Sequence, residues 1–120
     1  MNEKKNVLKD KSFSFAIRIV KLYKYLVTDK KEFVLSKQLL RSGTAIGALI
    51  REAQNAESKA DFIHKLAIAQ KECDESLYWL ELLFQTEYLS SAEYENINND
   101  ASEILKMIRS AIITTKTKNS

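Results

Sequence analysis

The sequence predicts an all-α protein, an up-and-down antiparallel four-helix bundle. Three observations predict it. The chain of 120 residues has no proline and only two glycines, Gly43 and Gly47, whereas turn-rich sheet folds depend on both residue types. It is 45% hydrophobic and 29% charged, which at this length suffices for one buried core. Its apolar residues recur every three or four positions in four separate stretches, the period of an amphipathic helix.

The first eleven residues are lysine-rich and lack that period, so residues 1–11 read as a basic N-terminal arm, either frayed or a short helical extension, residues 12–113 as the bundle and residues 114–120 as a disordered tail. Ser12 and Ser14 are candidate N-caps for the first helix. Its stripe is Phe15, Ile19, Leu22 and Leu26, and the polar run Thr28–Lys31 connects it to the second. The second segment spans about Glu32 to Ala56, with Leu35, Leu39, Ser42, Ile46, Leu49 and Ala53 in line. Gly43 and Gly47 lie four apart on one face. Glycine inside a helix costs about 1 kcal/mol against alanine, so a pair on one face points to close approach of another backbone. Ser58-Lys59-Ala60-Asp61 has capping-box spacing and opens a third helix striped by Phe62, Leu66, Ala69, Cys73, Leu77, Leu80 and Phe84. A second box, Ser90 to Glu93, opens a fourth with Tyr94, Ile97, Ala101, Ile104, Ile108 and Ala111. Short connections between four such helices favour the up-and-down order. Further apolar residues (Val20, Tyr23, Ile50, Ile63, Trp79, Leu82, Leu83 and Ile112) lie beside the stripes. A narrow bundle cannot cover them all, so a second apolar face is expected to be buried in a homo-oligomer.

The formal net charge is +3, too small by itself to signify nucleic-acid binding. Its distribution says more: residues 1–60 carry 13 Lys/Arg against 6 Asp/Glu, and residues 61–120 carry 6 against 10. Either the basic half pairs with the acidic half, or it leaves a positive surface that attracts phosphates. The candidate nucleic-acid-binding residues are Lys11, Arg18, Lys21 and Lys24, with Lys30, Lys31 and Lys37 near the first connection. The N-terminus lacks a signal-peptide core and no apolar run approaches the roughly 20 residues of a membrane span. A cytoplasmic protein without membrane association is expected.

Catalytic constellations are scarce. One histidine, His64, cannot build a ferritin-like di-metal centre, and it reads as a surface residue. One cysteine, Cys73, excludes an internal disulfide and falls on the core stripe, as a buried, inert thiol would. Phosphate loops, nucleophile elbows and dinucleotide fingerprints are missing. The strongest polar cluster is Gln38, Arg41, Glu52, Glu72 and Glu75. Antiparallel packing brings Arg41 toward Glu72 and Glu75 as a charge-assisted fork. Arg41, Glu52, Glu72 and Glu75 are therefore expected to form a structural ion-pair network that fixes register. Paired glutamates serving acid–base chemistry are the rival reading.

The run from Gln38 to Ala53 (Gln-Leu-Leu-Arg-Ser-Gly-Thr-Ala-Ile-Gly-Ala-Leu-Ile-Arg-Glu-Ala) resembles the signature of the bacterial four helix bundle protein family. These are also known as proteins encoded by intervening sequences of large-subunit ribosomal RNA genes. A second stretch fits too: Ser58 to Leu66, then Ala69-Gln70-Lys71-Glu72, Glu75 and Tyr78-Trp79-Leu80. With Phe15 to Ile19, the resemblance spans about residues 12–113. Ala45 and Leu49 depart from it, standing where the family usually has serine and asparagine. The resemblance implies an antiparallel bundle assembled as a homopentamer, with no established enzymatic activity; the residues themselves lead to the expectation of no cofactor and no metal. A related accessory protein of diversity-generating retroelements implies, by analogy, a basic surface that binds nucleic acid. The expectation is a non-enzymatic oligomer, an accessory or scaffold that binds RNA or DNA phosphates, or a protein partner, through its repeated surface. A scaffold that binds only proteins, or an enzyme using the Glu72 and Glu75 region, are the alternatives.

Overall fold

The computed structural model describes residues 3–118, with side chains from residue 7 onward. Four helices follow in order: α1 (Glu3–Thr28), α2 (Leu35–Gln54), α3 (Lys59–Gln85) and α4 (Ser91–Thr117). At about 1.5 Å per residue, α1, α3 and α4 are about 40 Å long and α2 about 30 Å, and they set the 50 Å long axis of a molecule 22 by 21 Å across. α2 packs on α1 and α3, and α3 on α4, whereas α1 and α4 meet only sparsely; the diagonal pairs make no close backbone approach. That neighbour order is the expected four-helix bundle, with its loosest seam between first and last helices. No helix among the described residues is long and apolar enough to cross a membrane.

The buried seams keep a stricter heptad than apolarity alone suggests. Along α1 the buried positions are Leu8, Ser12, Phe15, Ile19 and Leu26; along α2, Ser36, Leu39, Ser42 with Gly43, Ile46, Ile50 and Ala53; along α3, Leu66, Ala69, Cys73, Ser76, Leu80 and Leu83. With Leu22 half-buried between Ile19 and Leu26 and Ser42 beside Gly43, the spacings run in threes and fours, which holds a seam against its neighbour. Ser36 and Ser76 therefore occupy core positions where the sequence reading takes Leu35 and Leu77, and Ile50 and Leu83 those where it takes Leu49 and Phe84. Ile50 and Leu83, expected on the second apolar face, belong to the core. Leu49 lies half-buried at its edge.

Three boundaries differ from expectation. α1 is continuous across residue 12, and Leu8 extends its seam by one more turn. Ser12 is thus a core residue rather than an N-cap, its hydroxyl donating to the Lys9 carbonyl at 3.0 Å, and Ser14 also lies within the helix. Of the expected arm, residues 1–2 lie outside the described residues. α4 continues to Thr117, beyond the end of its stripe; the hydroxyls of Thr115 and Thr117 donate to the carbonyls of Ala111 and Ile113, at 2.7 and 3.0 Å. Such bonds satisfy carbonyls near a helix end. Of the expected tail, residues 119–120 lie outside the described residues. Finally, α2 starts at Leu35 because Glu32 acts as its cap. The Glu32 carboxylate accepts from the N–H groups of Val34, Leu35 and Ser36 at 3.2, 3.0 and 2.6 Å.

The caps of the later helices follow the sequence. Ser58 accepts from the Asp61 N–H, although Asp61 reaches back to Glu57 rather than to Ser58. Ser90 and Glu93 close a reciprocal capping box.

Candidate nucleic-acid interface and ion-pair network

The four candidate phosphate-binding cations lie on α1 and separate into two pairs. Lys11 and Arg18, seven residues apart and so on one face, turn toward α4. Lys11 Nζ lies 2.6 Å from Glu103 Oε1, and Arg18 pairs with Asp100. The lysine's pKa is raised, chiefly by its hydrogen bond to Glu103. These pairs bridge the loosest seam of the bundle, beside a groove of about 240 Å³ lined by Asp10, Ser14, Phe15 and Ile104 as well as by Lys11, Asp100 and Glu103. Lys21 and Lys24 are exposed and make no ion pair with a described residue. Lys30, Lys31 and Lys37 are likewise exposed around the α1–α2 connection. Unneutralised positive charge therefore concentrates on the later turns of α1 and the start of α2.

The polar network at the α2–α3 contact has the expected fork. Arg41 Nη2 donates to Glu75 Oε2 at 2.6 Å, and Arg41 Nη1 stands 3.3 Å from the buried Glu72 Oε1. Trp79 Nε1 donates to the same Glu75 oxygen at 2.9 Å. Hydrogen bonds from Arg41 and Trp79 hold the Glu75 carboxyl below its usual range, and the pair raises the arginine in turn. Glu52 does not join. It lies three helical turns from Arg41 and accepts from Lys65 at 3.1 Å. Eleven residues of helix rise about 16 Å, more than an arginine reaches, so the single cluster divides into two. Gln38 is exposed near the start of α2. Beneath the fork, the Ser76 hydroxyl donates to the Glu72 carbonyl and shares a hydrogen bond with Ser42, both at 2.9 Å. The two helices are keyed together by polar contacts inside the seam.

His64 is exposed. Cys73 is buried, donates to the Ala101 carbonyl at 3.3 Å, and has its thiol pushed up to about 12 by burial and by neighbouring Asp74. It remains protonated and out of reach of oxidants. Among the described residues no three His, Cys, Asp or Glu side chains gather as a metal site requires.

Sequence reasoning missed an apolar line on the outer face of α1. Phe13, Ile17 and Val20 recur at spacings of four and three and are 51%, 42% and 36% exposed. Arg51 of α2 lies over the Phe13 ring, 5.0 Å from its centroid. Only Val20 of this line was among the expected second face; the spacing of the other two was the available signal. Tyr23, Ile63, Trp79, Leu82 and Ile112 are half-buried.

Residues 4–110 match the model of the family described as 23S rRNA-intervening sequence protein. A solved structure is also similar over most of the chain: a protein with unknown function from the S23 ribosomal protein family of Bacteroides thetaiotaomicron. It is 63% identical and superposes with a TM-score of 0.91, covering 92% of this chain and 99% of that one. No curated protein matches the chain.

Proposed function

The chain belongs to the 23S rRNA-intervening sequence protein family, the family its motifs resemble, and from that premise we propose a non-enzymatic, cytoplasmic homo-oligomer that binds RNA or DNA phosphates through repeated lysines. Five protomers are what the family resemblance implies. The observation that carries the reading is the division of the cations: α4 neutralises Lys11 and Arg18, while Lys21, Lys24 and the lysines around the first connection stay exposed. Each copy in a ring would present the same patch, so weak contacts would add by effective concentration. The apolar line Phe13, Ile17 and Val20 supplies a face for assembly. The absence of catalysis is supported by Glu72 and Glu75, the carboxylates an acid–base reading would use, which are committed to Arg41.

A salt titration of RNA binding tests the proposal. Affinity is expected to fall steeply between about 50 and 200 mM salt, because each neutralised phosphate releases counterions. Lys21→Glu and Lys24→Glu are expected to weaken binding and flatten the slope. Absent or salt-insensitive binding would favour a scaffold for proteins alone. That second reading has its own support in the paired Lys11 and Arg18.

A further inference from the structure

The connection between α1 and α2 presents two adjacent apolar side chains to water: Phe33 is 57% and Val34 69% exposed. They do not stand on a loose strand of chain. Lys31 adopts the left-handed conformation with φ 57°, and the next residue, Glu32, is buried with its carboxylate on three successive N–H groups. The Glu32 N–H itself donates to the Leu26 carbonyl at 2.9 Å. A connection tied down this closely, yet showing a phenyl ring to solvent, is preorganised for contact.

Charge surrounds that ring. Lys30, Lys31 and Lys37 are exposed and form no ion pair with a described residue; Lys30 lies 5.9 Å from the centre of the Tyr25 ring. Lys24 stands on the last full turn of α1. Of the two acids in the connection, Glu32 is turned inward and Asp29 alone is exposed. The free amides at the start of α2 are already taken by Glu32, so recognition of an anion falls to the lysines.

We infer that this end of the bundle binds single-stranded nucleic acid, one base stacking on the Phe33 ring against Val34 while Lys30, Lys31 and Lys37 take the flanking phosphates. The inference rests on the nucleic-acid reading above and gives it a place and a strand type. Aromatic rings amid cations form a stacking platform that any base can use, whereas a duplex keeps its base faces covered. A bilayer is the weaker partner, because two apolar side chains bury less than the paired anchors that stable attachment needs.

The test compares fluorescence anisotropy of a labelled oligouridylate of about 12 nucleotides with that of a duplex RNA of equal length. Phe33→Ala is expected to weaken single-strand binding about tenfold and to leave duplex binding within about twofold, since a duplex offers no base to stack. Phe33→Trp is expected to keep single-strand affinity. Lys30→Glu with Lys31→Glu is expected to weaken both and reduce the salt slope. Phe33 is exposed, so circular dichroism melts of these variants should coincide with that of the parent. If the parent binds RNA but Phe33→Ala leaves single-strand affinity within about twofold, the inference fails and the broader reading stands. Binding to neither oligonucleotide overturns both. Phe33-dependent capture by vesicles of phosphatidylserine in phosphatidylcholine, without single-strand preference, also overturns the inference, as does loss of oligomer mass on Phe33→Ala.

Discussion

Glu32 shows how one side chain sets a boundary. Its chain neighbours read as the opening of a helix, yet its carboxylate leaves the helical path and closes the N-terminus of α2 from outside. Burial pushes its pKa up, but hydrogen bonds from the Leu35, Ser36 and Val34 backbone and from the Ser36 side chain outweigh burial, and the net shift is downward. A carboxyl with a lowered folded pKa adds stability above its unfolded value, about 4.3 for glutamate. That stability is lost as pH falls through the lower, folded value. Glu32→Gln is expected to reduce the unfolding free energy by about 1–2 kcal/mol at neutral pH. In urea titrations the gap between variant and parent should narrow as the parent's carboxyl protonates; a gap that stays constant down to acid pH would count against the cap. Sequence spacing could not show this, because capping from outside the helix depends on the left-handed turn at Lys31.

At the scale of the element, much was legible. Four stripes named four helices, and the boxes beginning at Ser58 and Ser90 marked two starts closely. What apolarity could not show was that Ser12, Ser36 and Ser76 sit in the seams. A hydroxyl with a local carbonyl partner buries as readily as a small apolar group, so the heptad passes through it unmarked. The glycine pair was half legible. A Cβ on Gly47 would lie 3.3 Å from the Ser12 carbonyl oxygen, the expected backbone approach, but one on Gly43 would meet Ile19 Cγ1 at 2.9 Å. Gly43→Ala therefore sets a helix-propensity gain of about 1 kcal/mol against overpacking of about 1–3 kcal/mol, because Ile19 is fully buried. A net loss of about 1 kcal/mol is expected. Thermal melts of the double variant should reveal coupling: in an Ile19→Ala background the same glycine change should be neutral or stabilising. Equal losses in both backgrounds would mean that Ile19 is not the obstacle.

Across the whole molecule, the fork of Arg41 with Glu72 and Glu75 could be read from sequence because i, i+3 spacing on antiparallel neighbours already brings those residues together. The pairing of Lys11 and Arg18 was legible only as one of two fates for the basic half, since its particular partners depend on how α4 returns beside α1. Part of the charge asymmetry is thereby resolved within the protomer, and the remainder stays on the exposed lysines of α1 and the first connection. The apolar surplus behaves likewise. Ile50 and Leu83 move into the core, while Phe13, Ile17 and Val20 remain outside as a line on α1. In the function proposed above, copies of the chain cover that line against one another and so repeat the basic patch. Light scattering coupled to size exclusion decides between that assembly and a lone protomer. A mass about five times the 13.8 kDa protomer, held across micromolar concentrations and reduced by Phe13→Glu with Ile17→Glu in a variant that stays helical, is the expected result; a single protomer's mass at tens of micromolar would contradict it.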